Sequence, residues 1–177
     1  MKQQFKILLI LFLLKHISVD AANDQILQAP STTQVKIEIV NGCSLNNVTS
    51  GTAALGTLSF GDIYKVNVVR DAVTSLGNGS IELRCTPGTT AKITMNAGLH
   101  GSNVNNRKMR LTSGSATLDY QLYTSSNRQT VWDNTVGVST TFNTDTTQSI
   151  FIYGRVPVQT TPISGIYSDQ VTVTVSY

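Results

Sequence analysis

Charge is what this chain has least of. Asp, Glu, Lys and Arg together make up 13% of its 177 residues, too few to imply an acidic partner or the basic stripe that holds nucleic-acid phosphates. Histidine occurs only at positions 16 and 100, so there is no imidazole cluster for metal binding or general-base catalysis. The two cysteines, Cys43 and Cys85, are far apart, and no Cys-x-x-Cys redox motif exists. No segment carries the period of an amphipathic helix. The apolar run Ile7–Leu14 is too short to span a bilayer.

That run has a different meaning in context. It follows a basic start, Met1-Lys2-Gln3-Gln4-Phe5-Lys6, and precedes small residues at Val19 and Ala21, or at Asp20 and Ala22. This order predicts a secretory signal peptide over residues 1–21, cleaved on export, rather than a membrane anchor or a buried N-terminal helix. Its removal takes the 13 basic and 10 acidic residues to 10 and 9, so the net charge falls from +3 to +1. The apparent basicity belongs largely to the signal. In a chain that leaves the reducing cytoplasm, Cys43 and Cys85 are expected to pair as one disulfide. Closing that loop restricts the unfolded chain by roughly 4 kcal/mol in the loop-entropy treatment.

The remaining sequence is rich in Thr, Ser, Asn, Gly and Val, the composition of short strands joined by polar turns. Residues 22–33 form a polar extension with Pro30 and no packed element. Val35, Ile37 and Ile39 then alternate with polar residues, and strand patterns recur at Ala54–Phe60, Tyr64–Val69, Ser80–Cys85, Ala91–Met95, Met109–Thr112, Leu118–Tyr123 and Ser149–Tyr153. The Asn-Gly within Gly77-Asn78-Gly79 predicts a tight hairpin turn. Ser139–Gln148 and Pro157–Gly165 read as polar loops. The final residues, Gln170–Tyr177, alternate strictly, placing Val171, Val173, Val175 and Tyr177 on one face. About eight short strands, with no repeat and no second domain, predict an all-β antiparallel sandwich of immunoglobulin type over residues 34–177. The sandwich has a spare strand-capable segment before it, and it ends on a core strand whose far edge has no evident neighbour.

Several motifs together resemble the spore coat protein U domain family, which includes the archaic chaperone–usher pilins of Csu type. They are Cys43, Phe60-Gly61, Cys85-Thr86, Arg107-x-Met109, Leu118-Asp119-Tyr120-Gln121-Leu122-Tyr123, Trp132, Tyr153-Gly154-Arg155-Val156-Pro157 and Gly165-x-Tyr167-x-Asp169-x-Val171-x-Val173-x-Val175-x-Tyr177. The early region resembles a minor subunit of such a pilus more than its shaft subunit. Two features depart from the pattern: Trp132-Asp133-Asn134-Thr135 lacks a glycine after the tryptophan, and the extension carries Pro30.

The resemblance implies an immunoglobulin-like fold missing its last strand, completed first by a periplasmic chaperone and then, at an outer-membrane usher, by the extension of a neighbouring pilin subunit. Carried onto this chain, the acceptor groove is walled by Val171, Val173, Val175 and Tyr177. The donor segment begins in 22–33 and continues to about residue 39, with Val35, Ile37 and Ile39 as its best-patterned side chains. The function so implied is a structural subunit, minor or linking, of a surface pilus serving attachment and biofilm formation. Independently of the family, a sandwich with an empty apolar groove is expected to be unstable alone, at roughly 25 cal/mol for each Å² left wet. Strand addition is a recognition mode that meets that need, and a head-to-tail contact that does not close makes a fibre.

The alternatives are a self-sufficient secreted sandwich of a spore or cell coat that binds carbohydrate or matrix, and an enzyme. Asp62, Asp71, Asp119, Asp133, Asp145 and Asp169 are scattered singly among turns, and His100 sits alone, so no catalytic or metal site and no cofactor are expected. Arg107-Lys108-x-Arg110 is the dense basic cluster; on an exported chain it argues for neither nucleic acid nor membrane insertion. Asn47-Val48-Thr49 and Asn78-Gly79-Ser80 have the form of glycosylation sequons. Tyr120, Tyr123, Trp132, Tyr153 and Tyr167 are candidates for a sugar-binding face, but aromatic residues of an all-β domain are more often core.

Overall fold

The computed structural model describes residues 34–177; the expected signal peptide and the 22–33 extension lie outside them. The sandwich occupies Glu38–Tyr177, and the preceding unit ends at Ile37. Among the described residues there are eleven strands and no helix: β1 (Cys43–Leu45), β2 (Arg70–Val73), β3 (Ile81–Cys85), β4 (Thr90–Met95), β5 (Arg107–Leu111), β6 (Thr117–Tyr123), β7 (Val138–Thr141), β8 (Gln148–Ile150), β9 (Tyr153–Val156), β10 (Tyr167–Ser168) and β11 (Val173–Ser176). All pairings are antiparallel. They form a five-stranded sheet in the order β10-β5-β6-β9-β2 and two three-stranded sheets, β1-β3-β8 and β11-β4-β7.

The core follows from alternation. In β3, β4 and β6 every second side chain is buried: Ile81, Leu83 and Cys85; Ala91, Ile93 and Met95; Leu118, Tyr120 and Leu122. Successive side chains of a strand point to opposite faces, so these nine reach the space between sheets while their neighbours face water. Trp132 and Phe142, both fully buried, fill the middle. The indole N–H of Trp132 donates to the Ile93 carbonyl at 3.2 Å, which satisfies the polar atom of an otherwise apolar anchor. The antiparallel all-β architecture expected from the sequence is the one observed.

Local differences have physical reasons. Residues 54–60 and 64–69 have strand-like sequences but join no ladder. Leu55, Leu58, Phe60 and Ile63 pack on the core, and the segment's backbone touches the rest at few points: Gly79 N–H donates to Leu55 O at 2.6 Å and Thr57 N–H to Asn78 Oδ1 at 3.0 Å. Val35–Ile39 is likewise outside any strand, and Val35, Ile37 and Ile39 are 92%, 86% and 80% exposed. Alternation reports which face is apolar, not whether a partner strand is present.

The turn at 75–78 lies two residues earlier than the Asn78-Gly79 turn expected. Ser75 and Asn78 exchange backbone hydrogen bonds, so Leu76 and Gly77 are its central residues, with Gly77 at φ 71°. It connects β2 and β3, which belong to different sheets, and so makes no hairpin ladder. Conversely, β7 lies in a stretch read partly as polar loop. Thr140 and Thr141 there face Ala91 and Thr90 across the ladder.

Candidate functional site

The last strand is an edge. β11 pairs with β4 from Val173 opposite Met95 to Ser176 opposite Lys92, and among the described residues no strand pairs with its other side. At the start of this strand, around Val173, lies a groove of about 640 Å³. Residues 165–173 form one wall and residues 55–63 the other. Met95, Met109, Leu118, Leu122, Ile152 and Val156, drawn from several elements, floor it with apolar surface. Two segments flank an apolar trough: the 55–63 wall joins no ladder among the described residues, and the 165–173 wall leads from β10, paired with β5, into the edge strand β11.

The far wall is seated by the absence of a side chain. A Cβ at Gly154 of β9 would lie 2.8 Å from both Leu58 Cδ2 and Phe60 Cζ. A larger residue there would have to displace the Leu58 and Phe60 side chains that seat this wall.

The near wall is held by a polar clasp. Between β10, which pairs with β5, and β11, which pairs with β4, the chain crosses from one sheet to another. At the crossing Asn96 donates its backbone N–H to Thr172 O at 3.1 Å and accepts from Thr172 N–H through Oδ1 at 2.9 Å. The adjacent Asp169 accepts from the Tyr120 hydroxyl at 2.6 Å and from Leu99 N–H at 2.9 Å. Burial, then the hydrogen bond to Asp169, pushes the Tyr120 hydroxyl pKa far above its ordinary value, so it remains a donor.

Arg107 fastens the clasp. Its side chain is fully buried. It donates to Asn96 O at 2.7 and 3.0 Å, Trp132 O at 2.7 Å, Val104 O at 3.2 Å and Gln121 Oε1 at 2.6 Å. Burial lowers its pKa, and the nearby Tyr120, Asp169 and Asp133 oppose that shift. A planar five-donor fork suits carbonyls arranged around one point, which a lysine cannot match. Arg107 is thus not part of an exposed basic cluster. Lys108 pairs with Asp119 across the strands, and Arg110 donates to Gly114 O.

The structure distributes the sequence-derived candidates unequally. Val171 and Val173 line the groove. Val175 packs against the core beside it. Tyr177 is 58% exposed and borders a separate concavity next to Cys43 and Cys85. The two cysteines are joined by a disulfide that ties β1 to β3. Of the tyrosines considered for a sugar face, Tyr120 is in the core and Tyr167 in the groove; Trp132 is fully buried. Tyr123 and Tyr153 are directly opposed across β6 and β9, and Arg128 lies over the Tyr153 ring at 5.8 Å. His100 makes no hydrogen bond through its side chain among the described residues, which also contain no group of three or more acidic, histidine or cysteine side chains placed to hold a metal.

Sequence reasoning missed the second wall, Leu55–Ile63, and the Arg107–Asn96 clasp. The wall's apolar alternation was visible, but nothing local shows that its neighbouring strand is absent. The clasp joins residues whose spacing along the chain carries no pattern.

Comparison with known proteins places this geometry. The Spore Coat Protein U domain family matches residues 29–174. Protein U of Myxococcus xanthus is 35% identical over 143 residues, covering 76% of this chain and 77% of that protein. Among solved structures, the P pilus rod subunit PapA is 19% identical with a TM-score of 0.51, over 77% of this chain and 99% of that one. A chain from the chaperone–tip adhesion subunit pre-assembly complex of the Csu pili of Acinetobacter baumannii is 24% identical with a TM-score of 0.49; 78% of this chain matches 40% of that one.

Proposed function

The chain belongs to the spore coat protein U domain family, and from that premise we propose that it is a structural subunit of a surface fibre whose groove is filled by a strand from another chain. The observation that carries this reading is the apolar groove between residues 165–173, which lead into the edge strand β11, and the 55–63 segment, which joins no ladder among the described residues. An inserted strand would pair its backbone with both walls and send alternate side chains to the apolar floor. The occupant is the N-terminal segment of a second copy, beginning in 22–33 and continuing to about residue 39. Val35, Ile37 and Ile39 have the required two-residue period, and all three are exposed.

A minor or linking subunit of an archaic chaperone–usher pilus is the finer reading. A periplasmic chaperone would occupy the groove before assembly, an outer-membrane usher would mediate the exchange, and the fibre would serve attachment and biofilm formation. The PapA likeness is one of fold and is compatible with this route. The family is one of coat-protein domains, not enzymes, and the proposed role needs no catalytic residue or cofactor.

The family's description as a spore coat domain leaves a second reading, a self-sufficient secreted coat component that needs no strand from another chain. A cross-linking experiment separates the two. Mature chains carrying Ile37→Cys are mixed with chains carrying Val173→Cys, and a third chain carries both. The fibre reading predicts covalent heterodimers from the mixture and ladders from the double variant. Cross-linked monomers of the double variant without heterodimers would support the coat reading instead.

A further inference from the structure

Two Asn-Gly dipeptides, Asn41-Gly42 and Asn78-Gly79, are held in opposite ways. Asn-Gly is the pair most open to intramolecular attack, because glycine has no side chain to hinder its backbone nitrogen. At Asn78 both reacting groups are engaged. Its Oδ1 accepts from Thr57 N–H at 3.0 Å, and the Gly79 N–H donates to Leu55 O at 2.6 Å. Gly79 is also buried, with Thr74 Cγ2 lying 2.7 Å from where a Cβ would stand.

At Asn41 neither group is engaged. The residue is exposed, and its side chain makes no hydrogen bond among the described residues. The Gly42 carbonyl accepts from Thr86 N–H at 2.9 Å, but the Gly42 N–H donates to nothing among them. The space around Gly42 is open, its nearest neighbour being Thr86 Oγ1 at 3.8 Å from a built Cβ.

We propose that Asn41 is a site of spontaneous covalent modification, losing its side-chain amide to become aspartate and isoaspartate, while Asn78 is protected by the fold. The Gly42 nitrogen, giving up its proton to solvent base, bonds to the Asn41 side-chain carbonyl carbon. The bond from that carbon to the amide nitrogen breaks, and ammonia leaves. Water then adds to either carbonyl of the resulting five-membered imide and opens it. The net reaction consumes one water and releases one ammonia, with no redox partner. Each event adds a negative charge. The isoaspartyl product also lengthens the main chain by one methylene between Ile39 and the disulfide-bonded Cys43, at the point where a donated segment would leave its own domain.

The test ages the full mature chain in mildly alkaline buffer and follows both dipeptides by peptide mapping and mass spectrometry, with isoaspartyl-specific methylation as a second readout. A parallel sample is denatured and reduced. In the folded chain Asn41 should convert about thirtyfold faster than Asn78, equivalent to about 2 kcal/mol and to two hydrogen bonds that must open first. In the denatured chain the two rates should become comparable. Gly42→Val should slow conversion at Asn41 alone. Equal rates at both sites in the folded chain would overturn the proposal. So would an Asn41 that survives intact in the folded chain while it converts in the denatured one.

Discussion

Replacing Val173 by aspartate puts a carboxylate on the wall of the groove, facing its apolar floor. An inserted strand would seal that carboxylate away from water, and none of the floor residues is a cation. The group can escape by taking a proton, which limits the penalty. Holding a carboxyl neutral at pH 7, against an ordinary pKa of about 3.9, costs about 4 kcal/mol. At pH 5 the same neutralisation costs about 1.5 kcal/mol. The loss of the valine's own contact, about 1.5 kcal/mol, is the same at both pH values. The assay uses mature chains whose own Val35, Ile37 and Ile39 are replaced by serine, so that no donor competes. A labelled peptide spanning residues 33–41 is titrated against them by fluorescence anisotropy. Val173→Asp should weaken binding at both pH values, with about a hundredfold of the loss recovered between pH 7 and pH 5. Thr174→Asp, on the opposite exposed face, should change little. An affinity unaffected by Val173→Asp, or a loss identical at the two pH values, would refute the placement of this wall in the strand-accepting groove.

Three further predictions concern what holds the groove in shape. Arg107→Met leaves the carbonyls of Asn96, Trp132 and Val104 without this donor; urea unfolding should show a loss of about 3–5 kcal/mol. Cys43→Ser with Cys85→Ser opens a loop with a sequence separation of 42, and the same assay should register a loss of about 4 kcal/mol, reproduced in the native chain by adding reductant. Asp133 is held below the ordinary carboxylate range, chiefly by the Thr135 backbone N–H and also by those of Gly137 and Val136. Its ionised form therefore stabilises the fold fully above the unfolded pKa of about 3.9, and that contribution is lost as pH falls through the folded value. Asp133→Asn should be less stable than the native chain at pH 7, and the gap measured by urea unfolding should shrink below pH 4.

Much of the fold was legible from residue spacing. β3, β4, β6 and β11 alternate over four or more residues, and a period of two has one structural meaning when one face is buried. β7 was largely hidden because Ser139, Thr140 and Thr141 are polar, although the strand is tied to β4 through backbone pairing. Residues 54–60 carried the same period as a true strand and form none, because a ladder requires a neighbour that no local pattern can reveal. That mismatch leads to the groove: a segment with strand chemistry and no strand partner lies opposite residues 165–173, which lead into an edge strand paired on one side only. The groove-facing positions of Val171 and Val173 follow from alternation, whereas Val175 and Tyr177, on the same face, extend past the trough. Arg107 could not be read at all. Beside Lys108 and Arg110 it belongs to a basic cluster in sequence, yet it alone is fully buried, and it donates to carbonyl oxygens of Asn96, Val104, Gln121 and Trp132, whose spacing along the chain carries no pattern.

The central claim is that this sandwich is incomplete without a strand from outside it. The most direct measurement is thermal unfolding of the chain lacking residues 1–39, alone and with increasing concentrations of the 33–41 peptide. The account predicts a poorly cooperative, low-melting protein whose melting temperature climbs with peptide concentration, as binding to the folded state requires. A truncated chain that is monomeric, cooperatively folded and indifferent to the peptide would contradict it.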